Sequence, residues 1–180
     1  MAEVTLGVAL KEWDSIRAAL RDGRQSLLLR KGGIHEPSGT FRVEHERFWI
    51  YPTFVHQGQE SPVSEVTLDT LAEVVAIGQA GDLATVERLA GLHAWSTEAI
   101  AKRFFYRTPG LFVLIVRVYT TQPQLVTQTP AYAGCKSWVT LDSPVTERAV
   151  RSVLSDTAFM AMRQRIESAM NENRENTTHS

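Results

Sequence analysis

The segment Leu111–Tyr119, LFVLIVRVY, constrains the fold more than any other part of the chain. The turn residues Pro109 and Gly110 precede it. An unbroken apolar run of this kind predicts a strand that is buried on both faces, and therefore a strand in the middle of a sheet. Arg117 interrupts the run, and a cation near the end of a central strand must reach solvent, an acid or a ligand.

The elements predicted around this strand show no internal repeat. Apolar residues spaced three and four apart predict an opening helix over Leu6–Leu20. A strand is predicted from Phe41 through Phe48–Tyr51, and Pro52 is expected to end its pairing or to lie at the edge of it. Ser155 with Asp156 is expected to begin a closing helix that runs through Met170. This order predicts one α+β domain over residues 1–170, with a mixed sheet or a small barrel flanked by helices, and a disordered tail over residues 171–180.

The stretch Leu27–Gln57 concentrates glycines, histidines and charges between two predicted strands. We expect its polar residues to face one another across a hairpin and to hold an anionic or hydrogen-bonding ligand. The alternative is a plain hairpin with solvated charges and a glycine turn. The residues proposed to meet are Arg30, Lys31, Gly32, Gly33, His35 and Glu36 on one side, and Tyr51, Thr53, His56 and Gln57 on the other.

The sequence His93-Ala94-Trp95-Ser96 precedes a predicted helix that Ser96 begins. His93 and Trp95 would form one wall of a pocket, because free N–H groups at a helix N-terminus attract anions. The alternative is a corner between two helices that Trp95 plugs. A later predicted strand, Gly134–Leu141, contributes Lys136 and Trp138 to the candidate site, and Cys135 there is expected to be a small buried thiol.

Composition and charge exclude several classes of protein. The single cysteine rules out an internal disulfide and a cysteine-rich zinc site. No apolar run approaches the roughly 18–20 residues of a membrane span, and the N-terminus lacks the pattern of a signal peptide, so we expect a cytoplasmic protein that does not contact a membrane. Residues 60–87 carry six acids and no Lys or Arg, whereas residues 102–138 carry five bases and no acid. A net charge of -1 therefore does not exclude a basic face that binds nucleic acid.

Motifs of the common cofactor-binding and hydrolytic classes are absent from the sequence, including the Walker loop, GxGxxG, GxSxG and HExxH. His35, Glu36, His45 and His56 have side chains that suit zinc or iron, but their spacing matches no known metal motif. We therefore assign no metal ligand and no catalytic residue from motifs, and leave the cofactor and the question of catalysis open.

Six motifs, KGGIHE, FWIYPTFVHQ, HAWS, LFVLIVRVY, GCKSWVTL and VLSDTAF, together resemble an uncharacterised bacterial family known as a domain of unknown function, number eighteen-oh-two. The resemblance covers residues from about Leu10 to Ile166 and implies one module. At the level of fold, the order of elements is similar to PUA-like domains, including the ASCH and EVE domains. That similarity implies a small PUA-like β-barrel whose cleft holds a nucleobase or a nucleic-acid end between aromatic and basic side chains.

Two functional hypotheses follow from these observations. The first is a module that binds nucleic acid or a modified base in a basic and aromatic cleft, with phosphate contacts from Arg30, Lys31, Arg117 and Lys136 and stacking on Tyr51, Trp95 or Trp138. The alternative is an enzyme that processes nucleotides or phosphodiesters, with His35 or His56 as general base and Glu36 as acid or metal ligand. A third possibility is a scaffold that acts only by docking to a protein.

Overall fold

The computed structural model describes residues 3–31, 44–54, 64–134 and 137–175. Within these ranges the sheet has seven strands, which we number β1 to β7 in chain order. The strands are β1 (Thr5–Trp13), β2 (Leu27–Arg30), β3 (Arg47–Thr53), β4 (Glu65–Ala80), β5 (Leu111–Thr127), β6 (Trp138–Thr146) and β7 (Arg151–Ser152). The helices are α1 (Asp14–Arg21), α2 (Leu83–Arg88), α3 (Thr97–Phe105) and α4 (Asp156–Glu175), with a short 3-10 helix at Pro130–Tyr132.

The sheet is mixed and, among the described residues, open. Its strand order is β2-β5-β4-β3-β1-β6, with β7 paired to β5. β1 and β3 run parallel, and the pairs β1–β6, β2–β5 and β3–β4 run antiparallel. The predicted α+β class is therefore confirmed, with the mixed sheet as its architecture. β5 lies inside the sheet, as its apolar run predicts.

The predicted opening helix is wrong for its first half. Thr5–Trp13 is a strand, and the helix begins only at Asp14. The apolar residues Leu6, Val8 and Leu10 also have a period of two, so both periods fit this segment. Pairing with β3 on one side and β6 on the other decides in favour of the strand, because tertiary contacts override a weak local preference.

Pro52 does not end its strand, but it lies at the edge of the described pairing with β4. It lies within β3, where it pairs with Glu12 of β1. The described pairing of β3 with β4 stops at Trp49 opposite Leu71, so position 52 lies past the last pair on that side. A proline is tolerated there because no ladder bond to β4 is lost. α4 likewise differs from its prediction, since it continues to Glu175 and not only to Met170.

The chain divides into two compact units. The first unit comprises Met1–Gly23, His45–Glu73 and Val118–Val153. Its core lies on the sheet face that carries Ala9, Trp49 and Val139, with Tyr51 and Tyr132 packed into the same cluster. The second unit comprises Arg24–Glu44, Val74–Arg117 and Leu154–Ser180. It buries Leu27, Leu28 and Leu29 of β2, which pair with Ile115, Leu114 and Val113 of β5.

An arginine ties three segments of the first unit together. The Arg47 guanidinium donates to both carboxylate oxygens of Glu147, at 2.8 and 2.7 Å, and to Glu73 at 2.9 Å. It also lies 4.7 Å from the centre of the Tyr119 ring. These hydrogen bonds to Glu147 raise the pKa of Arg47. The Glu147 side chain is only 6% exposed, so this pair is shielded from solvent far more than an ordinary surface ion pair.

Candidate functional site

The end of α3 in the second unit places aromatic rings and cations on the surface together. Ser96 begins the helix, where its hydroxyl accepts a hydrogen bond from the Ala99 N–H at 3.1 Å. Ile100 and Phe104 are buried, which turns the following residues outward. Phe105 and Tyr106 are each 57% exposed. We call the set Lys102, Arg103, Phe105, Tyr106 and Arg107 the basic corner.

Lys31 holds the backbone of this corner in place. Its ammonium donates to the carbonyls of Phe104 at 2.5 Å and Gly110 at 2.9 Å, and also to the carbonyl of Thr108. These bonds use all three donors of the ammonium. Burial lowers the pKa of Lys31. The side chain that the sequence suggested as a phosphate contact thus binds one carbonyl in the last turn of α3 and two in the turn that follows it. A positive charge near the C-terminus of a helix is favoured by the helix dipole.

Arg103 connects the corner to β2 and to Trp95. Its Nη1 donates to the Leu29 carbonyl at 3.0 Å, and its guanidinium carbon lies 5.6 Å from the centre of the Trp95 ring. Arg30 follows in β2, half-buried and opposite Phe112 of β5. Contacts of Arg103 and Lys31 thus connect α3 with two other segments of the second unit. These segments carry four of the residues that the sequence singled out, namely Arg30, Lys31, His93 and Trp95.

Trp95 is a buried side chain, with only 5% of its surface exposed. The His93 ring lies 5.5 Å from it, tilted by 55°. Gln25 fixes the intervening backbone by accepting a hydrogen bond from the Ala94 N–H at 2.9 Å. Burial lowers the pKa of His93, and an interaction with the Trp95 backbone opposes this in part. The arrangement resembles the alternative in which Trp95 fills a corner between two helices. The Trp95 Nε1 has no hydrogen-bond partner among the described residues.

Arg107 has an unusual backbone conformation for a residue with a side chain. Its φ is 62°, in the left-handed region, directly after the cap residue of α3. Its guanidinium carbon lies 5.2 Å from the centre of the Tyr106 ring. A cation over an aromatic face is attracted by the ring quadrupole. The outcome is an exposed ring with a cation beside it at the end of the helix.

The charge of the chain is divided unevenly between the two units. By sequence, the second unit carries 12 Lys and Arg against 9 Asp and Glu, and the first unit carries 7 against 11. No acid occurs in the sequence between Glu98 and Asp142. The corner therefore lies in the positively charged unit and near the start of an acid-free segment.

Arg117 is paired with an acid, which is one of the partners expected from its position in β5. It forms an ion pair with Asp156 at the start of α4, and its guanidinium carbon lies 5.3 Å from the centre of the Phe159 ring. The charge on β5 is thus compensated within the second unit.

The remaining described candidates belong to the first unit and lie on two faces of the sheet. Tyr51 pairs with Lys11 and shares a face with Trp49, whereas Trp138 pairs with Leu10 and lies on the other face. Tyr51 is 3% exposed, and burial raises its pKa. Trp138 contacts His45 and Phe48, with ring centres 5.1 and 4.9 Å apart.

Thr53 donates its hydroxyl to the Glu12 carbonyl at 3.2 Å, next to the parallel ends of β1 and β3. Close by, the Lys11 ammonium donates to the Gly134 carbonyl at 3.0 Å. Both polar groups are thus engaged with the backbone of the first unit.

Seven predicted site residues, namely Gly32, Gly33, His35, Glu36, His56, Gln57 and Lys136, lie outside the described residues. In the part of the chain that the structure describes, no three His, Cys, Asp or Glu residues are grouped as metal ligands. Every described helix is too short or too polar to span a membrane.

The sequence prediction did not include the basic corner among its site residues, although the signal is present as the run KRFFYR at residues 102–107. Cations interleaved with aromatic residues are typical of surfaces that bind nucleic acid. The periodicity of α3 then separates the buried Phe104 from the exposed Phe105 and Tyr106.

Comparison with known proteins identifies the family. Residues 9–165 match the model of a domain of unknown function, DUF1802, and the chain belongs to that family. No curated protein matches it. Similar solved structures include an ASCH protein from Zymomonas mobilis, which is 19% identical over 89% of this chain and 93% of its own, with a TM-score of 0.46. A single-substitution variant of the Zymomonas mobilis protein is 19% identical over 87% of this chain and 96% of its own, with a TM-score of 0.44. The predicted family is confirmed, and ASCH structures are among those similar to this chain.

Proposed function

We propose that this protein is a binding module for single-stranded nucleic acid and that the basic corner is its contact surface. The observation that carries the proposal is the pair of adjacent aromatic rings, Phe105 and Tyr106, each 57% exposed among cations. Large apolar rings left in water are costly unless something covers them. Unstacked bases are suitable partners, because every base presents a flat aromatic face.

The cations of the corner supply the second half of the interaction. Lys102 and Arg107 are exposed and can approach phosphate groups. The sequence has no acid from residue 99 to residue 141, although Glu98 lies four residues before Lys102 on α3. Lys31 and Arg103 act behind the surface, where they fix the end of α3 to β2. A rigid support of this kind lowers the entropy that is lost on binding.

A single strand is favoured over a duplex for a physical reason. In a duplex the bases are stacked on one another, so rings on a protein surface reach their faces only after unstacking. Stacking of Phe105 or Tyr106 on an unpaired base requires no such step. The corner is thus expected to discriminate between the two forms through its rings, while its cations attract both.

The test is fluorescence anisotropy with labelled single-stranded RNA, single-stranded DNA and duplexes of equal length, at several salt concentrations. Replacing both rings, Phe105→Ala with Tyr106→Ala, is expected to weaken single-strand binding by about 1–3 kcal/mol for each base that loses its stacking partner. Lys102→Gln with Arg107→Gln is expected to lower the slope of log K against log salt by about 0.7 for each lost phosphate contact.

The matched control is Arg163→Gln with Arg165→Gln on α4. This pair removes the same charge from the same unit and leaves the corner intact. Equal weakening by the two charge variants would mean that only net charge matters, and would refute the corner as the site. Undiminished binding after loss of both rings would refute the single-strand preference.

The same mixtures test the enzymatic hypothesis from the sequence. His35, Glu36 and His56, its proposed residues, lie outside the described ranges. Denaturing gels of the oligonucleotides, with and without divalent metal, would reveal cleavage directly. Intact oligonucleotides in the presence of binding are the result expected of a binding module.

A further inference from the structure

A groove of about 400 Å³ lies in the first unit between the last residues of β5 and the second half of β6. This volume is in the range of small-molecule sites, which is about 300–1,000 Å³. The groove is separate in sequence from the basic corner, and none of the residues proposed to bind nucleic acid lines it.

The polar groups along the groove are one carboxylate, one amide and several hydroxyls. Among the residues that the structure describes, Asp142 is the single charged residue of the lining, which includes no Lys, Arg or His. The Gln124 amide donates one N–H to the Thr146 carbonyl at 2.5 Å, and its oxygen can accept a hydrogen bond. The Thr129 hydroxyl oxygen is buried and has no hydrogen-bond partner among the described residues. The carboxylate only accepts hydrogen bonds and each hydroxyl can accept one, so the lining suits a cationic donor.

The carboxylate is carried on a fixed backbone. The N–H of Asp142 donates to the Tyr132 hydroxyl at 2.7 Å, and Tyr132 is itself 5% exposed and packed into the core of the unit. The Asp142 side chain remains exposed, so it is available to a cation. The surrounding unit carries 11 acids against 7 bases, which also attracts cations.

The remaining wall of the groove is apolar. It is formed by Leu125, Val126, Pro144 and Val145. Leu125 is 68% exposed, which is unusual for a leucine in a strand and leaves most of its side chain in water. A ligand with an aliphatic chain would cover that surface.

We propose that this groove binds an aliphatic polyamine. One ammonium group donates to the Asp142 carboxylate and to hydroxyl oxygens of the groove, and the methylene chain lies against Leu125. The neutral and anionic counterparts of such a chain lack the positive charge that pairs with the Asp142 carboxylate. This site is independent of the proposed nucleic-acid function.

Isothermal titration calorimetry of the full chain with spermidine and putrescine tests the proposal, with 1,4-butanediol and succinate as neutral and anionic controls. Spermidine is expected to bind saturably at one site. Asp142→Asn is expected to weaken it about tenfold, because one charge-assisted hydrogen bond is lost. Thr129→Val and Leu125→Asn are each expected to weaken it by a smaller factor.

Glu46→Gln is the matched control, because Glu46 is an exposed acid of the same unit that does not line the groove. Unchanged affinity in this variant supports a specific site. Equal weakening in Asp142→Asn and Glu46→Gln, equal binding of butanediol or succinate, or the absence of saturable spermidine binding would each overturn the proposal. Circular dichroism of each variant verifies that the fold is retained.

Discussion

The guanidinium carbon of Arg107 lies 5.2 Å from the centre of the Tyr106 ring, while the Arg107 backbone has a left-handed φ of 62°. This is the position after a helix cap, where glycine is usually found because it has no Cβ to clash. An ordinary residue in this conformation costs about 1–2 kcal/mol. The strained residue directly follows the exposed ring, and strain at such a position is a reason to test it for a role in binding.

Arg107→Gly is therefore expected to stabilise the fold and to weaken nucleic-acid binding at the same time. The glycine relieves the left-handed strain, so the free energy of unfolding should rise by about 1 kcal/mol. Loss of the guanidinium removes a phosphate contact and the cation beside Tyr106. Urea denaturation measures the first effect, and anisotropy with single-stranded RNA measures the second.

Ala149→Gly is the matched control for this substitution. Ala149 also has a left-handed φ, of 50°, and is exposed in the first unit. It should gain a similar stability with no change in RNA affinity. If Arg107→Gly left the affinity unchanged, Arg107 would have no part in binding.

Lys31→Met is expected to destabilise the protein by about 1.5–3 kcal/mol. The substitution removes the charged donor that is shared by the carbonyls of Phe104, Thr108 and Gly110. The comparison variant is Lys102→Met, which removes the same charge from an exposed position and should change stability by less than about 0.5 kcal/mol. Urea denaturation of both proteins gives the two values.

The two lysine variants should have the opposite ranking in RNA binding. Under conditions in which both are folded, Lys102→Met is expected to lose more affinity, since Lys31 has no remaining donor to offer a phosphate. Equal stability of the two variants would contradict the role of Lys31 as an anchor of α3.

The lowered pKa of His93 predicts a loss of stability on mild acidification. Burial holds the folded pKa below its ordinary value of 6.5. At a pH between the folded pKa and the unfolded pKa of His93, the unfolded chain binds more protons than the folded chain. The free energy of unfolding therefore falls as the pH is lowered through this range. His93→Gln should abolish this contribution. Urea denaturation at a series of pH values, with NMR titration of the His93 ring, measures both quantities, and an unchanged pH slope in His93→Gln would contradict the prediction.

The sequence was most informative where one strong local signal determined the element. The apolar run of β5 and the Ser96 cap of α3 are confirmed. β1 was missed because its apolar residues satisfy both helical and strand periods, and only its neighbours in the sheet decide between them. β5 also continues through Pro123 to Thr127, where the Gln122 N–H donates to the Arg148 carbonyl from a distant part of the chain.

The candidate site was harder to predict because residue type does not reveal what a side chain contacts. Lys31 looked like a cation available to a ligand, but its ammonium donates hydrogen bonds to carbonyls that are distant in sequence. Tyr51 and Trp138 looked like partners in stacking, but the register of their strands puts them on opposite faces of the sheet. Which aromatic residues of the basic corner are exposed depends on which face of α3 is buried. The structure shows that face, and the sequence alone does not determine it.

The contact between Gly78 of β4 and Met170 of α4 offers a test of how this helix packs within the second unit. A Cβ at position 78 would overlap the Met170 methyl group and lie 3.2 Å from its sulfur. Gly78→Ala is therefore expected to reduce the free energy of unfolding by about 1 kcal/mol, since overpacking displaces a side chain. Gly81→Ala is the matched control, because no atom lies within 4 Å of the added methyl group, and it should leave stability unchanged. In a Met170→Ala background the Gly78→Ala penalty should disappear, which a double-mutant cycle by urea denaturation would show. A penalty that persists in that background would mean that Met170 is not what fills the space above Gly78.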